Sequence, residues 1–535
     1  MLAAAAALSV ACGSDATAPA APLPVTATVS LAPGQSAILG DTLVAGAVRF
    51  PAAPVAGATY LVVGQFASGV ADVTSGFALA GQASVTGTPA LPAPAAHQGP
   101  AEAFHAMLRQ REAAFAREAW RFAPLLTAPS RATAPPSVGT KRSFRVCANL
   151  DCSTLNNIAS TAQFVGTHLA VFVDDSAPAG GFNSADLTQL GQMFDGVLYP
   201  IDTDRFGAES DIDGNGVVIV LLTPQINALV GKPACNTSFI TGFFFGADIA
   251  PGFAAQYNNG EVFYGMVPDP NGKVSCVYTK SYVQALIPVT FIHEFQHMIS
   301  YNQHALLRGG ISEALWLNEG LSHLAEELGG LHYDSLHTSA ADTTAAWFLL
   351  GDLGNAYDYL RNPSLAPLVT EQPPGSLESR GAAWLFLRYV VDQAGPAITR
   401  ALVQTSVIGA ANIEQAAGAP FATLLARAAL AVYLTDVPGF TAPPELAFAS
   451  WRFRFTFASM HQQDPGDFPL AFPLQPATGA GGAASVSGTM ASGASTYLLV
   501  GQVSNGPAFD LTFRGANAAA LPAAGGAQLA IVRLR

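Results

Sequence analysis

Charge is scarce in this chain of 535 residues. Only 11% are Asp, Glu, Lys or Arg, less than half of the roughly 25% in an average globular protein. Cations are rarest: 24 Lys+Arg stand against 37 Asp+Glu, a net charge of −13. That balance excludes the Lys/Arg patches on which nucleic acids and anionic lipid surfaces depend, so no nucleic-acid partner is expected. Half of the residues are hydrophobic, which excludes the low-hydrophobicity, high-charge composition of disordered chains. Long apolar runs are missing too, and none reaches the ~18 uninterrupted residues of a membrane-spanning helix. There are only five cysteines and no CxxC pair, which disfavours a thiolate metal site. What the chain has in quantity is Gly (51) and Pro (37), which suits short strands and tight turns. The length gives a prior of roughly three or four domains.

The N-terminus reads MLAAAAALSVACGSD. An apolar run of this length suits a signal-peptide core and is too short to cross a bilayer. Small residues ending at Cys12 resemble a bacterial lipoprotein signal. That resemblance implies residues 1–12 as signal, lipidation at Cys12, export, and attachment to the bacterial membrane through the lipid. A secreted protein with an ordinary cleaved signal is the alternative. In an oxidising setting the remaining cysteines pair most simply as Cys147–Cys152 and Cys235–Cys276.

Residues 13–24 read as an Ala/Pro/Thr linker. From 25 to 95, β-branched runs alternate with Gly and Pro, the pattern of a β module. Residues 96–139 form a connector: helical apolar spacing over 101–126, with Pro-rich breaks on both sides. A weak repeat links Gly57-Ala58-Thr59-Tyr60-Leu61-Val62-Val63-Gly64-Gln65 to Gly493-Ala494-Ser495-Thr496-Tyr497-Leu498-Leu499-Val500-Gly501-Gln502. It predicts a second β-sandwich module at 470–535, or two parts of one sandwich. The mixed region 140–465 holds the chemistry.

Its centre is His293-Glu294-Phe295-Gln296-His297. Side chains four apart share one face of a helix, so two imidazoles can meet one metal, and the intervening Glu can reach a metal-bound water. Pro288 either starts this helix or kinks it. A catalytic zinc needs a third protein ligand and an open position. Ser300 and Gln303 occupy the places where HExxHxxGxxH demands Gly and His, so that pattern fails. Further on, SEALWLNEGLSHLAEELGG (312–330) predicts a second helix with Ser312 as cap and Gly329 as stop. Glu319, 22 positions after His297, would reach the metal if this helix folds back on the first. His323 and Glu326 are candidates to orient ligands; Glu313 and Glu327 are expected in solvent and His304 in a loop.

HEFQHMI followed by ALWLNEGLSHLAEE resembles the gluzincin metallopeptidases, most of all the hyicolysin-like neutral metallopeptidases, and Trp-Leu-Asn-Glu-Gly resembles the third-ligand segment of the aminopeptidase branch. The resemblance implies an α+β fold: a zincin-like catalytic domain, with mixed sheet and active-site helices, flanked by small all-β modules. It implies one Zn2+ per chain on His293, His297 and Glu319, Glu294 as general base, and hydrolysis of protein or peptide substrates. Arg380, before Gly381, stands where the resemblance places the oxyanion donor. A structural Arg is the alternative, with Tyr389 and His323 as rival donors. By the same resemblance, Gly260-Glu261-Val262-Phe263-Tyr264 is the expected edge strand for aligning substrate.

Separately, Asp211-Ile212-Asp213-Gly214-Asn215-Gly216 resembles the start of a calcium loop. Leu222 falls at the twelfth position, which excludes a complete EF-hand. Either Asp211, Asp213 and Asn215 hold Ca2+, or the loop is an Asx turn opening the strand Val217–Leu222. The expectation is a monomeric zinc metalloendopeptidase. The rivals are an aminopeptidase, for which no acidic amine anchor stands before His293, and a surface-binding lipoprotein with an inert metallopeptidase domain.

Overall fold

The structure is a computed structural model, and it describes residues 23–81, 99–119, 133–336, 343–371 and 376–535. The signal segment and Cys12 lie outside these residues. The elements in chain order are strands β1 (Val25–Thr28) and β2 (Ser36–Leu39), helix α1 (Asp41–Val44), and strands β3 (Ala47–Phe50), β4 (Ala58–Phe66) and β5 (Thr74–Gly81). Helix α2 (Pro100–Ala119) follows, then β6 (Lys141–Cys147), β7 (Leu155–Val165) and β8 (Leu169–Asp174). Next come α3 (Ser184–Met193), α4 (Tyr199–Arg205), β9 (Val218–Leu222), α5 (Pro224–Leu229), β10 (Gly242–Phe244) and β11 (Val262–Gly265). The helical layer is α6 (Lys280–Tyr301), α7 (Leu315–Leu336), α8 (Thr344–Arg361), α9 (Leu377–Ala394), α10 (Ile398–Val403), α11 (Gly409–Ala417), α12 (Phe421–Leu434) and α13 (Phe453–Gln463). Strands β12 (Ala477–Ala480), β13 (Ser485–Ala491), β14 (Ser495–Gln502), β15 (Phe509–Gly515) and β16 (Ala527–Arg533) close the chain. No single described helix is long and apolar enough to cross a membrane.

The β-rich ends do not form two modules. Strands from both ends interleave in two five-stranded sheets, β1-β3-β15-β5-β13 and β12-β14-β4-β16-β2. The two copies of the sequence repeat pair with each other: β4 and β14 are antiparallel neighbours, with Val62 opposite Leu498 and Gly64 opposite Thr496. Each copy alone would leave an apolar strand edge unpaired; together they bury Tyr60, Val62, Leu498 and Val500 in one core.

The central region is a mixed sheet, β10-β11-β9-β8-β7-β6. β9, an unbroken VIVLL run, is fully buried, as a strand covered on both faces must be. β11 is the second strand rather than the edge. β10 lies outside it, antiparallel. Both disulfides, Cys147–Cys152 and Cys235–Cys276, are formed.

Thr279 caps α6 through the Tyr282 N–H. This puts Pro288 inside the helix, not at its first turn. α7 starts at Leu315, after Ser312, and runs through Gly329-Gly330. Those glycines do not stop the helix. They let α8 approach, since a Cβ on Gly329 would stand 2.8 Å from Phe348 and one on Gly330 2.5 Å from Leu349. Close approach also fixes the third wall. A Cβ on Gly320 would meet Leu387 of α9 at 2.7 Å, and one on Gly381 would meet the Asn355 backbone of α8 at 2.3 Å. Glu319 and Arg380, the residues before these two glycines, are thereby brought together.

Candidate metal centre

His293 and His297 rise one turn apart from α6 and meet Glu319 of α7; all three are buried. One ligand atom from each lies within 4.8 Å of the other two. The imidazole Nε2 atoms are 3.1 Å apart, and Glu319 carboxylate oxygens stand 3.8 Å from His293 Nε2 and 3.7 Å from His297 Nε2. Two ligands about 2.1 Å from a tetrahedral centre sit roughly 3.4 Å apart, so this triangle has the right size for zinc.

The hydrogen bonds behind the rings fix which nitrogens face inward. His293 Nδ1 donates to Glu326 Oε1 (2.6 Å) and His297 Nδ1 to Asn318 Oδ1 (2.8 Å). Both acceptors can only accept, so the ring proton sits on Nδ1 and each Nε2 presents a lone pair. Burial, followed by the Arg109 charge, holds His297 well below the ordinary histidine range, so the ring is neutral. Two lone pairs facing each other beside a carboxylate repel unless a cation lies between them. Both Glu319 oxygens are buried without a hydrogen-bond partner. Burial raises the Glu319 carboxyl, but Arg380, then His297 and His293, outweigh it and hold it well below the usual carboxylate range. The Arg380 Nη2 stands 3.5 Å from Glu319 Oε2.

Glu294 is 2% exposed. Its Oε2 accepts the Phe244 N–H at 2.7 Å, which ties it to the edge strand, and burial pushes its carboxyl up. Behind the cluster, His323 lies 3.2 Å from Glu326 and 2.9 Å from Asp352. Tyr389 is turned away, its hydroxyl donating to the Glu445 carbonyl. Glu313 and Glu327 are buried rather than solvated, because each has donors to satisfy it. Glu313 accepts from Gly409 N and Asn412 Nδ2, and Glu327 from Trp384 Nε1 and Trp451 Nε1. His304 is likewise buried, 3.6 Å from Glu313.

Sequence reasoning missed Asn318, whose place in Leu-Asn-Glu-Gly marks it one residue before a candidate ligand. It also missed His105, Arg109 and Glu112 of α2, for which no sequence motif speaks.

At the other cluster the structure replaces one residue. Carboxylate oxygens of Asp211, Asp213 and Glu261 lie within 4.8 Å of one another. Asn215 is spent locally, its Oδ1 accepting Val217 N–H and its Nδ2 donating to Asp213. Glu261, just before β11, takes its place. Its Oε1 accepts from Ser210 and Ile212, whereas its Oε2 is buried without a partner.

No known family profile matches the chain. The neutral metalloprotease ShpI of Staphylococcus hyicus is 25% identical over 195 residues, 35% of this chain and 40% of that protein. The chain thus matches less than half the length of this curated relative. Among solved structures, the M1 zinc metallopeptidase of Deinococcus radiodurans is similar in a mutant form, at 13% identity and a TM-score of 0.26 over 54% of this chain and 55% of that one. A further structure of that enzyme gives 12% identity and a TM-score of 0.25, over 52% and 45%.

Proposed function

We propose that the protein is a zinc metalloendopeptidase, with His293, His297 and Glu319 holding the ion and Glu294 as general base. The observation that carries this reading is the pair of inward-facing Nε2 lone pairs beside an ionised Glu319 whose oxygens accept no hydrogen bond. A zinc ion bound there polarises a carbonyl and acidifies a water. Glu294 takes a proton from the attacking water and delivers it to the leaving amine nitrogen. Its bond to Phe244 N–H holds the carboxylate at the edge strand, where a peptide would lie. Glu326 and Asn318 keep the two rings in the required tautomer. Arg380 keeps Glu319 ionised, and it lines the same cavity as Glu319, within reach of a developing oxyanion. ShpI, a neutral metalloprotease by name, supports proteins as the substrate class. Cleavage within chains, rather than from a free amine, rests on the absence of an acidic anchor before His293. Cleavage of casein and of an end-capped peptide, with zinc analysis of wild type and Glu294→Gln, tests the reading. The variant is expected to keep zinc and lose cleavage; equal cleavage by both proteins would remove Glu294 from its role.

We further propose that Asp211, Asp213 and Glu261 hold a divalent cation. All-oxygen donors suit a hard cation such as calcium, and the Glu261 Oε2 without a hydrogen-bond partner supports the reading. Burial pushes the Glu261 carboxyl up to about 7, the behaviour of a buried carboxyl that lacks a counter-charge. Export with a lipid on Cys12 completes the proposal, supported by two disulfides that need an oxidising compartment.

A further inference from the structure

An outer strand offers alternate N–H and C=O groups to any extended peptide that pairs with it. At the end of β10 and just after it, three of those groups are already taken. The Phe244 N–H goes to Glu294, the Phe244 carbonyl accepts from Arg109 Nη2 at 2.6 Å, and the Gly246 N–H donates to Glu112 Oε1 at 2.7 Å. Two of these three partners come from one turn of α2. Arg109 and Glu112 lie 3.0 Å apart, with side chains 2% and 1% exposed. Phe104 of the same helix meets the Phe243 ring edge-on at 5.0 Å.

α2 also reaches the metal cluster. His105 is 8% exposed and its Nδ1 has no partner. Burial, then the Arg380 charge, holds the ring well below the ordinary histidine range, and the charges of Glu319 and His293 reach it as well. The cavity between α2, α7 and α9, beside Glu319 and Arg380, holds about 20 Å³. That is room for a single water. A ligand pocket takes roughly 300 Å³ or more.

We infer that α2 is an inhibitory segment occupying the substrate's place on β10, so that the protein in this form is latent and takes up peptide only when α2 withdraws. This inference rests on the peptidase reading and adds the regulation of that site. The chemistry of α2 suits a removable part. Beside the apolar Phe104 and Leu108 that it buries, α2 also turns His105, Arg109 and Glu112 inward, and Arg109 Nε and Nη1 have no hydrogen-bond partner there. Burying such groups is costly, and withdrawal returns them to water. It also frees one donor and one acceptor, Gly246 N–H and Phe244 C=O, for a peptide main chain. Pro/Ala-rich sequence flanks α2 on both sides.

The test uses the full-length zinc-loaded protein. In a Glu294→Gln background, Arg109→Ala/Glu112→Ala is expected to tighten binding of fluorescein-labelled casein at least about tenfold, because a closed population lowers apparent affinity by the fraction open. With Glu294 intact, kcat/KM on casein rises by a similar factor. Unchanged or weaker binding overturns the inference and makes α2 a wall of the groove. Tighter binding without cleavage by any Glu294 form leaves the inference standing and overturns the peptidase reading. Should the double variant not fold, a site-specific protease sequence inserted after Leu126 decides. Cutting it after folding leaves the pieces joined through the interleaved strands and frees one end of α2. Casein binding must then tighten, and no change overturns the inference.

Discussion

Among the described residues, the ligand groups around Glu319 and around Glu261 are built differently. Around Glu319 every ligand comes from a helix, all three are buried, and Glu326 and Asn318 orient the rings from behind. Around Glu261, Asp211 is exposed, Asp213 is half-buried, and both sit on one loop braced by Asx turns. In the first, burial raises the carboxyl, but the Arg380 charge leads the neighbours that outweigh it and keep it ionised. In the second, nothing opposes the desolvation of Glu261 strongly enough, and its carboxyl rises. The difference teaches that burial alone does not make a metal site; the charges facing a carboxylate decide whether it is ionised before the ion arrives. Asp202 serves as the control. It is buried with both oxygens unpartnered, and burial alone raises it well above the usual range.

The largest expected effect separates the two sets by function. Glu294→Gln lowers kcat by about 10²–10⁴ with zinc content unchanged, whereas Glu261→Gln leaves both intact. Casein hydrolysis with metal analysis reads both arms, and a fall in hydrolysis with Glu261→Gln would merge the two sets. Next, Glu326→Gln weakens zinc about 10–100-fold, measured by competition with a chelator. A variant as tight as wild type would show that His293 needs no orienting partner. Third, calcium at 100 times its dissociation constant stabilises the folded protein by about 2.7 kcal/mol. Thermal scans in Ca2+ against EGTA are expected to differ by several degrees in wild type and not in Glu261→Gln.

The smallest effect concerns Asp202. Its folded-state pKa is raised, so its contribution to stability is complete below the ordinary aspartate pKa of about 3.9 and is lost progressively as pH rises toward the folded value. Asp202→Asn is expected to flatten the fall in melting temperature as pH rises above about 4. A parallel curve for wild type and variant would show that water already reaches this carboxyl.

How far the sequence could be read follows from what each feature depends on. Helix spacing is local, so the face shared by His293 and His297 and the return of Glu319 were legible, as were the short-range cysteine pairs. Features set by packing were not. Gly329-Gly330 looked like a stop and proved to be a contact with α8, because a glycine's neighbours are invisible along the chain. Asn215 looked like the third oxygen of its loop, but Glu261, far off in sequence, holds that position through strand pairing. The β-rich ends read either as two modules or as two parts of one sandwich, because repeats reveal likeness and not pairing. The α2 contacts left no trace, since Arg109 and Glu112 bond to backbone groups that carry no sequence signal.

The clasp between β4, β14 and β16 has a consequence for how the chain is made. β4 lies between two strands synthesised more than 400 residues after it. During synthesis its Leu61-Val62-Val63 run waits with both edges open while the whole central region emerges, and contacts of such sequence separation form slowly. The sandwich is thus the last part to assemble. A folding helper that shields β-rich, uncharged segments would act on the first 81 residues before it acts on anything else.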